Sequence, residues 1–286
     1  MAKERTNKVY VVGTLLRIED VREGEKDGVK WIAGTAVVKS GDNEIEFKYY
    51  SSAKTQEGKD NSKYASYLEL KNRVGERVKV NGDLSGRVWY NAAQGQVINF
   101  NEVNAGFFNT PKPTDVDTAT FEFGGFVTKP IHERYNEKEE LIAYEMEVAQ
   151  ENYRGNNMQV VKFTVDKENR EVYNAIARAY TKDTTIFING EIKYEVVSIE
   201  KTEEVAFGEP LVKVFSSTRK SFVIKAGANP ILDEGLKYSS EDIARLKNSY
   251  NEYIADLEKE AKNKNQAGES VVKSQPAISS IQNRLL

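Results

Sequence analysis

Cysteine is absent from this chain and histidine occurs once, at His132. The first absence removes disulfides and thiolate metal sites and suits a reducing compartment. The second leaves no histidine-rich metal triad and no Ser-His-Asp relay, and in Lys129-Pro130-Ile131-His132-Glu133-Arg134 the ring reads as a solvated loop residue. Apolar runs are short, so nothing approaches the ~20 residues that cross a bilayer. Met1-Ala2-Lys3-Glu4-Arg5 has a positive start with no apolar segment behind it, unlike a secretory signal. A cytoplasmic protein without membrane association is therefore expected. Gly24, Gly28 and Gly34 are scattered, with no Gly-Lys-Ser/Thr after them, so no phosphate loop is present. Glu139-Glu140 and Glu203-Glu204 fall in apparent loops, and Asp115-Val116-Asp117 reads as a solvated linker. None offers the fixed geometry of acid-base work. The expectation is a protein that is not an enzyme and holds no metal or cofactor.

What remains is a soluble, core-forming chain. Its 286 residues exceed one ordinary domain, and 39% hydrophobic against 30% charged residues can fill cores beneath a hydrated surface. The net charge of −3 hides an asymmetry: residues 1–112 sum to +3, residues 113–230 to −5 and residues 231–286 to −1. A polyanion would meet a favourable field only at the first third.

The strongest internal signal is a repeat. Val78-Lys79-Val80-Asn81-Gly82-Asp83-Leu84 is echoed by Ile186-Phe187-Ile188-Asn189-Gly190-Glu191-Ile192, matching in type at six of seven positions. Gly13 stands 69 residues before Gly82, and Gly125 stands 65 before Gly190. Recurrence at that length indicates duplicated domains rather than a solenoid.

Element order agrees between the copies. Trp31 to Val38 and Glu44 to Tyr50 alternate as half-buried strands across the turn Ser40-Gly41-Asp42-Asn43. Leu141 to Gln150 and Met158 to Val165 answer them. Tyr64 to Arg73, with Tyr64, Tyr67 and Leu68 on one face, and Arg170 to Tyr180, with Val172, Ile176 and Ala179, read as short helices. Closing strands are expected at Gln96 to Glu102 in the first copy and at Lys193 to Lys201 with Val212 to Lys225 in the second. Three strands, a helix and two more strands is the order of the five-stranded OB barrel. The expected fold is thus mainly β, with two tandem five-stranded OB-like barrels, each with a helix between strands three and four, and a C-terminal helix. The boundaries read as a net basic barrel at 1–109, a proline-containing linker at 110–118 and a net acidic barrel at 119–230. A helix at 239–263 and a flexible tail at 264–286 follow.

Aromatic residues make up 10% of the chain and several stand beside bases. Single strands are gripped by cations along the backbone and by rings stacked on bases, at ~1–3 kcal/mol per ring. On strand parity, Trp31 and Thr35 face outward if Ile32, Ala36 and Val38 line the core, and Arg87 shares a face with Trp89. Lys48 falls with Tyr50, opposite Phe47 and Tyr49. Each ring has a rival role in filling a small barrel. Lys54, Lys59 and Lys63 either neutralise phosphate or keep a polar connection soluble. In the second copy the candidates reduce to Tyr153, Arg154 and Lys162 among many acidic residues. The nucleic-acid-binding candidates are therefore Trp31, Lys48, Tyr50, Lys54, Arg87, Trp89, Tyr153, Arg154 and Lys162.

From Ser239 the pattern turns helical. Ser239 or Ser240 can cap, Glu241 and Asp242 suit the positive end, and Ile243, Leu246, Tyr250, Tyr253 or Ile254, Leu257 and Ala261 form one stripe. That stripe either packs on the second barrel or self-associates. The tail ends in Arg284-Leu285-Leu286, either a partner-binding peptide or a frayed end.

The paired elements around Gly13 with Val78 to Leu84, and around Gly125 with Ile186 to Ile192, resemble those of OB-fold single-stranded-DNA-binding proteins, above all tandem-domain ones from bacteriophages. The resemblance spans residues 5–225 and rests on order and spacing. It implies protection of single-stranded DNA, or RNA, during replication or recombination, in a host cytoplasm if phage-encoded. Trp31, Lys48, Tyr50, Arg87 and Trp89 would take the groove roles. Many such proteins end in an acidic tail with a hydrophobic pair, whereas here no acidic run precedes Leu285-Leu286, which puts tail-borne recruitment in doubt. The alternative is a virion or baseplate structural or adaptor protein built from small barrels.

Overall fold

A computed structural model describes residues 4–91, 94–136, 138–152, 155–203, 207 and 211–266. The first half forms strands β1 (Asn7–Lys26), β2 (Val29–Ser40), β3 (Asn43–Ser52), β4 (Arg77–Asn91) and β5 (Gln96–Asn109). Helix α1 (Ser62–Leu68) and a 3₁₀ turn (Leu70–Arg73) lie between β3 and β4. The second half repeats the order as β6 (Thr118–Tyr135), β7 (Leu141–Glu151), β8 (Met158–Asp166), α2 (Arg170–Ala179), β9 (Thr185–Glu203) and β10 (Leu211–Gly227). Helix α3 (Ser240–Gln266) follows. Strand order β2-β3-β5-β4-β1 closes through β1–β2, and its counterpart β7-β8-β10-β9-β6 closes through β6–β7. Two tandem OB-like barrels with a helix between their third and fourth strands are thus present, as the repeat predicts.

Register makes the duplication explicit. Val9 pairs with Gly82 and Gly13 with Val78, while Phe121 pairs with Gly190 and Gly125 with Ile186. The matched glycines are needed for close approach. An ideal Cβ on Gly13 would lie 2.1 Å from the Lys39 carbonyl oxygen, and one on Gly125 would lie 2.2 Å from that of Ala149. At Gly82 and Gly190 the corresponding distances are 2.1 Å to Asn104 and 1.9 Å to Val223. Any side chain there would push apart neighbouring strands, β1 from β2 and β4 from β5 in the first barrel and their counterparts in the second.

The barrels are joined edge to edge by antiparallel pairing of β1 with β6, in which Asn7 meets Phe123, Val9 meets Phe121 and Val11 meets Ala119. Val9 and Phe121 are repeat equivalents, so a pseudo-two-fold axis passes between them. Hairpins then cross reciprocally. Asn101 of β5 donates from Nδ2 to the Lys162 carbonyl at 2.6 Å and accepts from the Lys162 amide at 3.0 Å. Its repeat equivalent, Lys220 of β10, pairs with Glu46 of β3 at 2.6 Å, and Glu46 is the equivalent of Lys162. The proline-containing linker is pinned as well, through Arg77 to Asp117 at 2.5 Å and Lys79 to Asp115 at 3.6 Å.

Several details depart from expectation. β1 runs on to Lys26 and β5 to Asn109, well past the apolar cores that reveal them in sequence. Ala179 is exposed, and α2 instead stacks Tyr173 on Tyr144 with ring centroids 4.1 Å apart. His132 lies within β6 rather than in a loop. α3 packs on the second barrel, with Ile243, Leu246 and Tyr250 against Phe126, Ala149, Met158, Val160 and Tyr238. Ser239 caps it, accepting from the Asp242 amide at 3.1 Å while Asp242 accepts from the Ser239 amide at 3.1 Å. Further along, Tyr90 of the first barrel donates to Glu258 at 3.3 Å, so the helix spans both barrels. The tail from 267 onward lies outside the described residues.

Candidate nucleic-acid interface

Cross-strand partners project to the same side of a sheet, so register assigns the outer face of the first barrel. Trp31 stands between Gly24 of β1 and Ser52 of β3. The next row is Arg22, Ala33 and Tyr50. After it come Thr35, Lys48, Asn104 and Asp83, and then Val37 and Glu46. Ser85, Arg87 and Trp89 of β4 lie opposite Glu102, Phe100 and Ile98 of β5 and continue the same face.

Five sequence-derived candidates, Trp31, Lys48, Tyr50, Arg87 and Trp89, therefore share one surface, but in two groups. Trp31 and Tyr50 form a stacked pair with centroids 6.2 Å apart and planes inclined by 29°. Tyr50 is 62% exposed, an unusual position for a large ring without a partner to meet. Trp89 lies opposite Ile98, six residues or ~20 Å along β5 from the row of Lys48. Between the groups the acids Glu46 and Glu102 occupy the face, and Lys220 from the second barrel covers Glu46.

The chosen cations are mostly engaged already. Lys48 donates to the Thr35 hydroxyl at 2.7 Å, and burial holds its pKa below the usual lysine value. Thr35 does take the outer face with Trp31, but it is only 2% exposed. Arg87 lies 3.6 Å from Glu102. Lys54 closes the loop after β3 by pairing with Asp60 at 2.6 Å. Lys63 sits over the Tyr67 and Phe107 rings at 5.7 and 5.9 Å, with its pKa lowered by burial. Asp83 accepts from Asn104 at 2.9 Å, and burial raises its pKa.

Sequence reasoning missed Arg22 and Lys26. Both are exposed on the β1–β2 hairpin, alternate with Gly24 on the ring-bearing side, and have no ion-pair partner among the described residues. The alternation in Val21-Arg22-Glu23-Gly24-Glu25-Lys26 is the signal that could have found them. It is invisible while β1 is taken to end near Leu16.

The second barrel differs at the matched positions. Where the first has Trp31, Lys48 and Tyr50, the repeat register gives Leu141, Thr164 and Asp166. Glu145, the equivalent of Thr35, is buried between Arg134 at 3.2 Å and Lys162 at 4.0 Å. Lys162 is thereby tied to the second barrel's acid and to Asn101 of the first. Tyr153 and Arg154 lie outside the described residues. Among the described residues no group of three or more His, Asp or Glu could hold a metal. No helix among them is long and apolar enough to cross a membrane.

The sequence profile of the YorF family matches residues 5–260, nearly the whole double barrel and α3. The chain belongs to the YorF family. No curated protein shows significant similarity to it. Among solved structures, it is similar to the wild-type single-stranded DNA binding protein from Thermus aquaticus, at 10% identity and a TM-score of 0.49 over 83% of this chain and 98% of that one. A deletion mutant of the Thermus aquaticus protein gives 12% identity and a TM-score of 0.49 over the same shares. A Replication Protein A heterotrimer bound to single-stranded DNA gives 13% identity and a TM-score of 0.21, over 86% of this chain and 52% of that one. All three TM-scores fall below 0.5.

Proposed function

We propose that this protein binds single-stranded DNA without catalysis, through the outer face of the first barrel, and shields it during replication or recombination. The observation that carries this reading is the Trp31–Tyr50 pair, stacked at 6.2 Å with Tyr50 open to solvent. Arg22 and Lys26 border it as exposed bases on the ring-bearing side of β1, flanked along the strand by Glu23 and Glu25 of the opposite parity. Rings supply sequence-tolerant stacking and the cations supply the salt-dependent attraction to phosphate.

On this reading the two halves divide the work. Residues 1–109 are the binding barrel, residues 119–230 a barrel that orders the first through the β1–β6 seam, and α3 a strap across both. Support comes from the matched positions, where Leu141, Thr164 and Asp166 replace the first barrel's ring-and-cation set. The finer roles of Lys48, Arg87 and Trp89 as groove residues belong to the same proposal, with Trp89 serving a strand long enough to reach the β4–β5 hairpin. The test is a titration with oligothymidine, followed by tryptophan fluorescence at two salt concentrations, beside a duplex of equal length. Quenching with a single-strand preference and a steep salt dependence is expected. Absence of binding at low salt overturns the proposal.

A further inference from the structure

Gly24 has no backbone reason to be glycine. Unlike Gly28 beyond it, at φ +74°, it adopts no left-handed conformation, and the strand geometry there accepts any L residue. Its constraint is the indole opposite. An ideal Cβ on Gly24 would fall 2.6 Å from Cζ2, 2.8 Å from Cε2 and 3.0 Å from Nε1 of Trp31, its cross-strand partner. Real Cβ atoms do not approach below about 3 Å, so any side chain at Gly24 must drive the ring off its seat. On its other side the ring meets Tyr50. Trp31 is thus held between a bare stretch of β1 backbone and the Tyr50 ring, and this fixes the plane on which Tyr50 presents its exposed face.

We propose that Gly24 is the positioning residue of the ring platform: it seats Trp31 flat on the β1–β2 hairpin and so sets the geometry in which the Trp31–Tyr50 pair meets a nucleobase. This rests on the single-strand reading above. The absence of a side chain also keeps Arg22 and Lys26, two residues away on either side along the same face of β1, clear of any bulk between them. Pre-ordering a ring before binding removes the rotamer entropy that it would otherwise lose on contact.

The test is a cycle of Gly24→Val, Trp31→Ala and the double variant. Gly24→Ala serves as a milder second probe, and thermal melting confirms that each variant folds. Gly24→Val is expected to weaken oligothymidine binding about tenfold, the loss expected for one stacking ring, and to cause no further loss once Trp31 is Ala. An equal loss with Trp31 absent overturns the proposal, as does unchanged affinity in Gly24→Val when its tryptophan emission shows that the indole has moved. In the wild type, Gly24 Hα protons beneath an indole face should resonate upfield and return downfield in Trp31→Ala. Failure of that shift overturns the seat itself. If wild-type protein does not bind oligothymidine at all, the single-strand reading falls, while the proton shift still decides whether Gly24 seats Trp31.

Discussion

Val9 and Phe121 face each other across the β1–β6 seam and occupy the same position in their respective repeats. The duplication is therefore arranged like a symmetric dimer written in one chain, with both residues on the axis 2% exposed. Phe121 packs against Phe163 and Phe222 and lies beneath Gly190. Phe121→Ala should cost ~3–5 kcal/mol. Because the seam couples the barrels, urea unfolding should remain one transition with a lowered midpoint rather than split into two.

The ring pair and its counterpart predict an asymmetric response. Trp31→Ala and Tyr50→Ala should each weaken oligothymidine binding by ~1–3 kcal/mol. Asp166→Asn, at the second barrel's equivalent of Tyr50, should leave affinity within about twofold, because no ring is lost there. Fluorescence or calorimetric titration of the variants measures both.

Arg22 and Lys26 should reveal themselves in salt. For a single strand, each phosphate contact contributes ~0.7 to the slope of log affinity against log salt. Replacing both with Ala should flatten the slope by about 1.4. An undiminished slope in the double variant would show that phosphate is neutralised elsewhere.

Glu151 is 5% exposed and holds Arg5 and Arg245, the latter at 2.7 Å, tying the N-terminal segment and α3 to β7. Glu151→Ala leaves two arginines that are 41% and 47% exposed and so regain water, which limits the expected cost to the ~1.5–3 kcal/mol of hydrogen bonds to charged groups. Hydrogen exchange should show α3 amides losing protection first, since Arg245 is on that helix.

Tyr238, packed beneath α3, and Tyr250, on the inner face of α3 itself, have pKa values pushed up to about 12 by burial. Each folded value exceeds the unfolded ~10, so the stability they contribute is full below pH ~10 and declines as pH rises from there through the folded values. Circular dichroism melts should show midpoints falling above pH 10, with a smaller decline in Tyr250→Phe.

The fold was legible because periodicity and spacing are local. The alternation in Ile45, Phe47 and Tyr49 marks β3, and the Gly13/Gly82 and Gly125/Gly190 spacings mark the repeat. The site was legible only in part. Trp31 and Tyr50 were found as rings of outward parity, but nothing in their spacing shows that they touch. Arg22 and Lys26 were passed over because the apolar pattern of β1 stops at Leu16, whereas pairing with β2 carries the strand to Lys26. Lys48, Lys54 and Arg87 are bases in the right neighbourhoods whose charges already meet Thr35, Asp60 and Glu102.

By itself the sequence determined the duplication, the barrel order, the helix stripe of Ile243, Leu246 and Tyr250, and the charge difference between the halves. All of these follow from residues close in the chain or from a repeated pattern. Tertiary structure alone decided that Val9 meets Phe121, that Lys220 covers Glu46, that α3 lies on the second barrel, and that Trp31 rests on Gly24. Each joins surfaces that are separately plausible as solvent-facing, and only closure of the barrels and pairing at their seam select which of those surfaces stay open.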